Sequence, residues 1–119
     1  MKVLVTYLSQ TGNTKKVAEA IFDEITCEKE LTTIDSVPGL DSFDLVLVGF
    51  PVWQSGPAEP ARKFLDERAR GKKVALFVTH AMDPDSPDQA AREMLGGILD
   101  KCRSAAAGSE LAGFFNCRG

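Results

Sequence analysis

Six consecutive residues, Ser9-Gln10-Thr11-Gly12-Asn13-Thr14, separate a short apolar run from a helical stripe. Hydroxyls and a glycine over the start of a helix make a cradle for a phosphate. The first turn leaves backbone N–H groups without intrahelical partners, the hydroxyls add donors, and Gly12 lets the backbone approach the oxygens closely. No lysine or arginine lies inside the loop, so neutral donors would hold the dianion. The string is neither G-x-x-x-x-G-K-S/T nor G-x-G-x-x-G. A plain helix cap at Asn13 would look similar, so the loop by itself leaves phosphate binding and ordinary capping both open.

Other reactive types are sparse. Trp53 is the sole tryptophan and follows an apolar run between Pro51 and Pro57, while His80, the sole histidine, shows no partner in the sequence and reads as an ordinary loop imidazole rather than as a catalyst or ligand. Cys27, Cys102 and Cys117 are odd in number and widely spaced, with no C-x-x-C, which suits reduced structural thiols rather than disulfides or a metal site. No cysteine has the C-x5-R spacing of a phosphatase loop, so Cys117-Arg118 reads as a buried thiol beside a cation. No catalytic residue and no metal ligand is assigned.

These residues need elements to hold them. The chain has 119 residues, 44% apolar and 26% charged, with 14 basic and 17 acidic side chains and a net charge of −3, so one globular domain spanning residues 1–119 is expected. A mildly acidic chain without a basic stripe disfavours nucleic acid and anionic membrane surfaces. With no apolar run of membrane-spanning length and no cleavage pattern at the start, a cytoplasmic protein is expected.

Val3 to Leu8 reads as a central strand, and Val17, Ala18, Ile21, Phe22 and Ile25 as the buried stripe of a helix over residues 13–26. Leu31 to Ile34 make a more polar edge strand, and Asp44 to Phe50 a strand apolar on both faces and stopped by Pro51. Ala61, Phe64, Leu65 and Ala69 mark a second helix ending at Gly71, and Val74 to Thr79 a fourth strand. A third helix opens on Ser86-Pro87 with Gln89 completing a capping box, and Leu111 to Cys117 form a fifth strand. Such alternation predicts an α/β sandwich around a parallel sheet, with ligands outside the carboxyl ends of the strands.

The first loop, S-Q-T-G-N-T, resembles the S/T-x-T-G-x-T flavin-phosphate loop of the flavodoxins, and Gly49 to Gly56, G-F-P-V-W-Q-S-G, is similar to their second flavin loop. The resemblance runs from Met1 to Cys117 in element order as well. It implies a doubly wound, five-stranded parallel sheet of order 2-1-3-4-5 that binds FMN. Ser9, Gln10, Thr11, Gly12, Asn13 and Thr14 would hold the phosphate, and Pro51, Val52, Trp53, Gln54, Ser55 and Gly56 would border the ring, with Trp53 stacked on it and Gly56 permitting a peptide flip. Thr79, His80, Ala81 and Met82 would meet the pyrimidine end. That third loop lacks the tyrosine many members stack there, so His80 or Met82 is expected to cover the other face.

The implied function is a one-electron carrier serving transient redox partners, with Glu59, Asp83 and Asp85 as acids that oppose negative charge on the reduced ring. The alternative is an NAD(P)H-dependent FMN or quinone reductase on the same fold. A receiver-like domain is disfavoured, because Ser9 and Pro51/Trp53 stand where its acidic residues belong. Flavodoxins add a C-terminal helix after the fifth strand and this sequence stops at Gly119, so one sheet face is expected to lie bare or to meet a partner or a second copy in a homodimer.

Overall fold

The apolar runs become five parallel strands with helices on both sides. In the computed structural model the described residues are 1–8, 12–37, 39–53, 56–80 and 87–118, without the side chains of Trp53, Cys117 and Arg118. In chain order they form β1 (Lys2–Tyr7), α1 (Asn13–Glu24), β2 (Glu28–Thr33), a 3-10 turn (Ile34–Ser36), β3 (Leu45–Trp53), β4 (Gly56–Pro57), α2 (Glu59–Glu67), β5 (Lys73–His80), α3 (Gln89–Ser104) and β6 (Glu110–Arg118). The long strands lie in the order β2-β1-β3-β5-β6. One correction to the expected five strands is needed: β4 pairs antiparallel with the end of β3, Val52 opposite Pro57 and Trp53 opposite Gly56, so the sheet has six strands.

Pro51 does not stop β3. Leu8 N–H donates to the Gly49 carbonyl at 2.9 Å, so the polar groups of Gly49 face β1, and those of Pro51, two residues on, face the same side. There β1 has already ended, and the missing N–H of proline removes no ladder bond. The Pro51 carbonyl instead accepts from Ala58 N–H at 3.3 Å, which folds the chain back into the hairpin.

Other boundaries moved for local reasons. The second strand starts at Glu28, because pairing with β1 recruits three charged residues that an edge tolerates, and Ile34 leaves it to be buried in the 3-10 turn. The first helix ends at Glu24, two residues short of Thr26, and the second ends at Glu67, before Ala69. Gly71 takes φ 73 in the following turn rather than capping the helix directly. The third helix is capped by Asp88, whose carboxylate accepts from Ala90 N–H at 3.0 Å, so Pro87 stands outside the helix; Ser86 lies outside the described residues.

The two sheet faces are unequal. Leu4, Val46, Val48, Phe50, Val74, Leu76 and Val78 pack against Ala61, Phe64 and Leu65 of α2 and Ile98 and Cys102 of α3. Opposite them, Val5, Tyr7 and Phe77 pack beneath Ala18 of α1. The ring of Phe77 lies over Gly49 on the neighbouring strand, where a Cβ would fall inside the ring. That contact shrinks the face expected to be bare. What stays open is a groove of about 620 Å³ between α1 and β6, lined by Val17, Ala20, Ile21, Ile25 and Phe115, with Phe115 53% exposed.

Gly49→Ala is expected to destabilise the fold by about 1–3 kcal/mol through overpacking against Phe77. Gly56→Ala, with open space at its Cβ, should stay within about 1 kcal/mol; urea midpoints of the two variants check the contrast.

Candidate functional site

The carboxyl ends of β1, β3 and β5 meet at one edge, and each of the three suspected loops leaves from one of them. At the first, Gly12 takes φ 91 and accepts the opening helical bond from Lys16 N–H at 3.1 Å, with no atom within 4 Å of where a Cβ would sit. A left-handed residue at this point turns the chain sharply into α1 while leaving open space above the backbone. Asn13 is the first helical residue, and Thr14 is 2% exposed. Its hydroxyl meets the hydroxyl of Thr79, itself 4% exposed, at 2.8 Å. This buried bond ties the first loop's helix to the end of β5.

The second loop is the β3–β4 hairpin, with Pro51, Val52 and the backbone of Trp53 on one arm and Gly56 on the other. Gly56 pairs in the ladder and does not show the positive φ found at Gly12 and Gly71. The third begins at His80, the last residue of β5. His80 is buried, its Nε2 lies 3.2 Å from Asn116 Oδ1 on β6, and its Nδ1 has no hydrogen-bond partner. The imidazole thus packs into the sheet on the side of the larger core, two residues past Val78 on the same strand face.

Glu59 at the start of α2 receives Nε–H of Arg62 at 3.1 Å, and this guanidinium holds its carboxyl below the usual range. Of the three acids expected to face the ring, Glu59 is therefore already paired with a cation. Burial pushes the Cys102 thiol up to about 11, which keeps it protonated and inert at neutral pH.

Residues 4–119 match the family model described as a flavodoxin domain. The chain belongs to the flavodoxin domain family. Among curated relatives, the flavodoxin-like domain-containing protein BilS of Clostridioides difficile is 36% identical over all of this chain, which spans 66% of BilS. An uncharacterized protein of Methanocaldococcus jannaschii is 30% identical, and the chain spans 76% of it. A flavoprotein of Lactobacillus acidophilus, solved in complex with FMN, superposes with a TM-score of 0.74 at 24% identity, covering 97% of this chain and 92% of that one. A flavodoxin from the domain Archaea gives 0.67 at 24% identity, covering 99% and 85%. At that identity the two structures speak for the flavodoxin fold.

In this flavodoxin-family chain, Gly12, Asn13, Thr14, Pro51, Val52, Gly56, Thr79 and His80 lie at or just beyond the carboxyl ends of β1, β3 and β5. Ser9, Gln10, Thr11, Gln54, Ser55, Ala81 and Met82 lie outside the described residues, as do Asp83, Asp85 and the Trp53 side chain. Sequence reasoning missed Asn116. Its signal was a single amide directly after Phe114-Phe115 near the end of the last strand.

Replacing either hydroxyl of the buried pair strands the other. Thr14→Val and Thr79→Val are each expected to cost about 1–3 kcal/mol, and the double variant less than their sum, in a denaturant double-mutant cycle.

Proposed function

We propose that this domain binds FMN at the carboxyl edge of the sheet and serves as an electron carrier. The observation that carries the reading is Gly12, left-handed at the entrance to α1 with free space at its Cβ position. An anion can approach the N–H groups of a helix start closely where no side chain intervenes. Lys16, exposed on the first turn of α1, supplies positive charge beside a loop that itself has none, and Lys15 next to it lies 4.0 Å from Glu19. The residues present thus fit the phosphate end of the cofactor.

In this reading Ser9 to Thr14 hold the phosphate, Pro51 to Gly56 border the ring with Trp53 as its stacking face, and Thr79 to Met82 meet the pyrimidine end. When bound, FMN supplies the electron chemistry at its ring. The protein's part is to bind, orient and set the charge around it. With Glu59 held by Arg62, opposition to charge on the reduced ring falls to Asp83 and Asp85.

Transient redox proteins are the partners this function requires. The groove beside Phe115 offers them, or a second copy of the chain, an apolar contact face. Sedimentation at 12.9 kDa or at twice that mass separates these occupants. The cysteine usage supports a reducing, cytoplasmic setting, and among the described residues no helix is long and apolar enough to cross a membrane. The NAD(P)H-dependent reductase keeps the same site and differs in its electron source. Anaerobic NADPH that bleaches the flavin stoichiometrically without an added reductase favours that enzyme over the carrier.

Titration of FMN into the apo-protein is expected to quench the flavin fluorescence saturably, and riboflavin, which lacks the phosphate, to bind more weakly. Gly12→Val should weaken FMN about five- to thirtyfold, the equivalent of roughly 1–2 kcal/mol of left-handed strain, and should shrink the preference over riboflavin. Absence of quenching in the unsubstituted protein overturns the proposal.

A further inference from the structure

Two buried side-chain polar atoms among the described residues have no hydrogen-bond partner, Thr6 Oγ1 and His80 Nδ1. They occupy different depths. Thr6 pairs with Val48, and Val48 with Leu76, four residues before His80 on β5. Thr6 lies one residue before the end of β1, between β2 and β3, and its hydroxyl can donate as well as accept. His80 ends β5, one step beyond the Pro51–Thr79 pair and opposite Arg118, at the edge where the three loops leave the sheet.

The chemistry of the orphan nitrogen follows from its partner. His80 is 7% exposed, and Asn116 Oδ1 can only accept, so the proton of the neutral imidazole sits on Nε2 at 3.2 Å from it. Nδ1 then carries a bare lone pair. An acceptor buried without a donor costs free energy in the empty protein, and that cost disappears when a ligand brings an N–H to it.

We propose that His80 Nδ1 accepts the imide N–H at the pyrimidine end of the FMN ring. This rests on the FMN reading and names an orienting residue within it. The oxidised ring system has a single N–H, flanked by two carbonyl oxygens that a lone pair repels. A bare imidazole nitrogen therefore matches one orientation of the pyrimidine edge. Asn116 acts through His80 as a positioning residue, because its oxygen selects the tautomer that leaves Nδ1 open.

With a single histidine in the chain, its ring nitrogens are assigned without ambiguity by nitrogen-15 NMR. The apo-protein is expected to show protonated Nε2 and bare Nδ1. FMN, with binding followed by quenching, should move the Nδ1 resonance upfield as it accepts a hydrogen bond. FMN methylated at the imide nitrogen should leave Nδ1 in place and bind about three- to tenfold more weakly. His80→Gln and His80→Phe should each reduce that discrimination, and Asn116→Leu should shift the tautomer. Quenching with an unmoved Nδ1 resonance, or the same shift from the methylated analogue, overturns this proposal while the FMN reading stands. No quenching at all removes the reading beneath it.

Discussion

Parallel pairing of β1, β3 and β5 makes three strands finish at the same edge, and every part of the candidate site hangs from one of those ends. Parallel strands require crossovers, and right-handed crossovers send α1 to one face and α2 and α3 to the other. The loops therefore converge without being adjacent in the chain. Thr14 and Thr79 are 65 positions apart in the sequence, yet their hydroxyls sit 2.8 Å apart and buried. A bond so enclosed is costly to break on one side alone, and it couples the start of α1 to the end of β5.

The same edge shows where regular structure gives way to function. β3 runs on past its partner β1 through Pro51, a residue whose lack of an N–H does no harm there, and turns back as a short hairpin. Gly12 holds a left-handed conformation that other residues rarely adopt. His80 leaves one nitrogen unpaired in a buried place. These departures from ordinary strand and helix chemistry stand near the ends of three strands, while the two hydrophobic clusters are built from apolar packing.

Much of this was legible beforehand, for reasons that can be named. Runs such as Val46-Leu47-Val48 and Val74 to Val78 have the composition of strands covered on both faces, and the Ala18/Ile21/Ile25 stripe has helical spacing, so the elements could be ordered along the chain. The loop strings then carried the family resemblance. The details that escaped depend on neighbours distant in sequence. Whether Pro51 ends a strand depends on where β1 stops. Whether Ser86 or Asp88 caps α3 depends on which carboxylate or hydroxyl reaches an N–H. The bare face shrank because Phe77 settled over Gly49 on the next strand.

By itself the sequence determined the succession of the long strands and helices and the edge at which their loops meet, because periodicity and crossover handedness are local or topological constraints. Only the tertiary structure decided how single side chains are used there. Thr79 became the partner of Thr14, and His80 turned from a loop imidazole into a buried ring whose Nε2 lies 3.2 Å from Asn116 Oδ1 and whose Nδ1 has no hydrogen-bond partner. A hydrogen bond's partner is set by distance and direction in space, and neither is encoded in residue spacing along the chain.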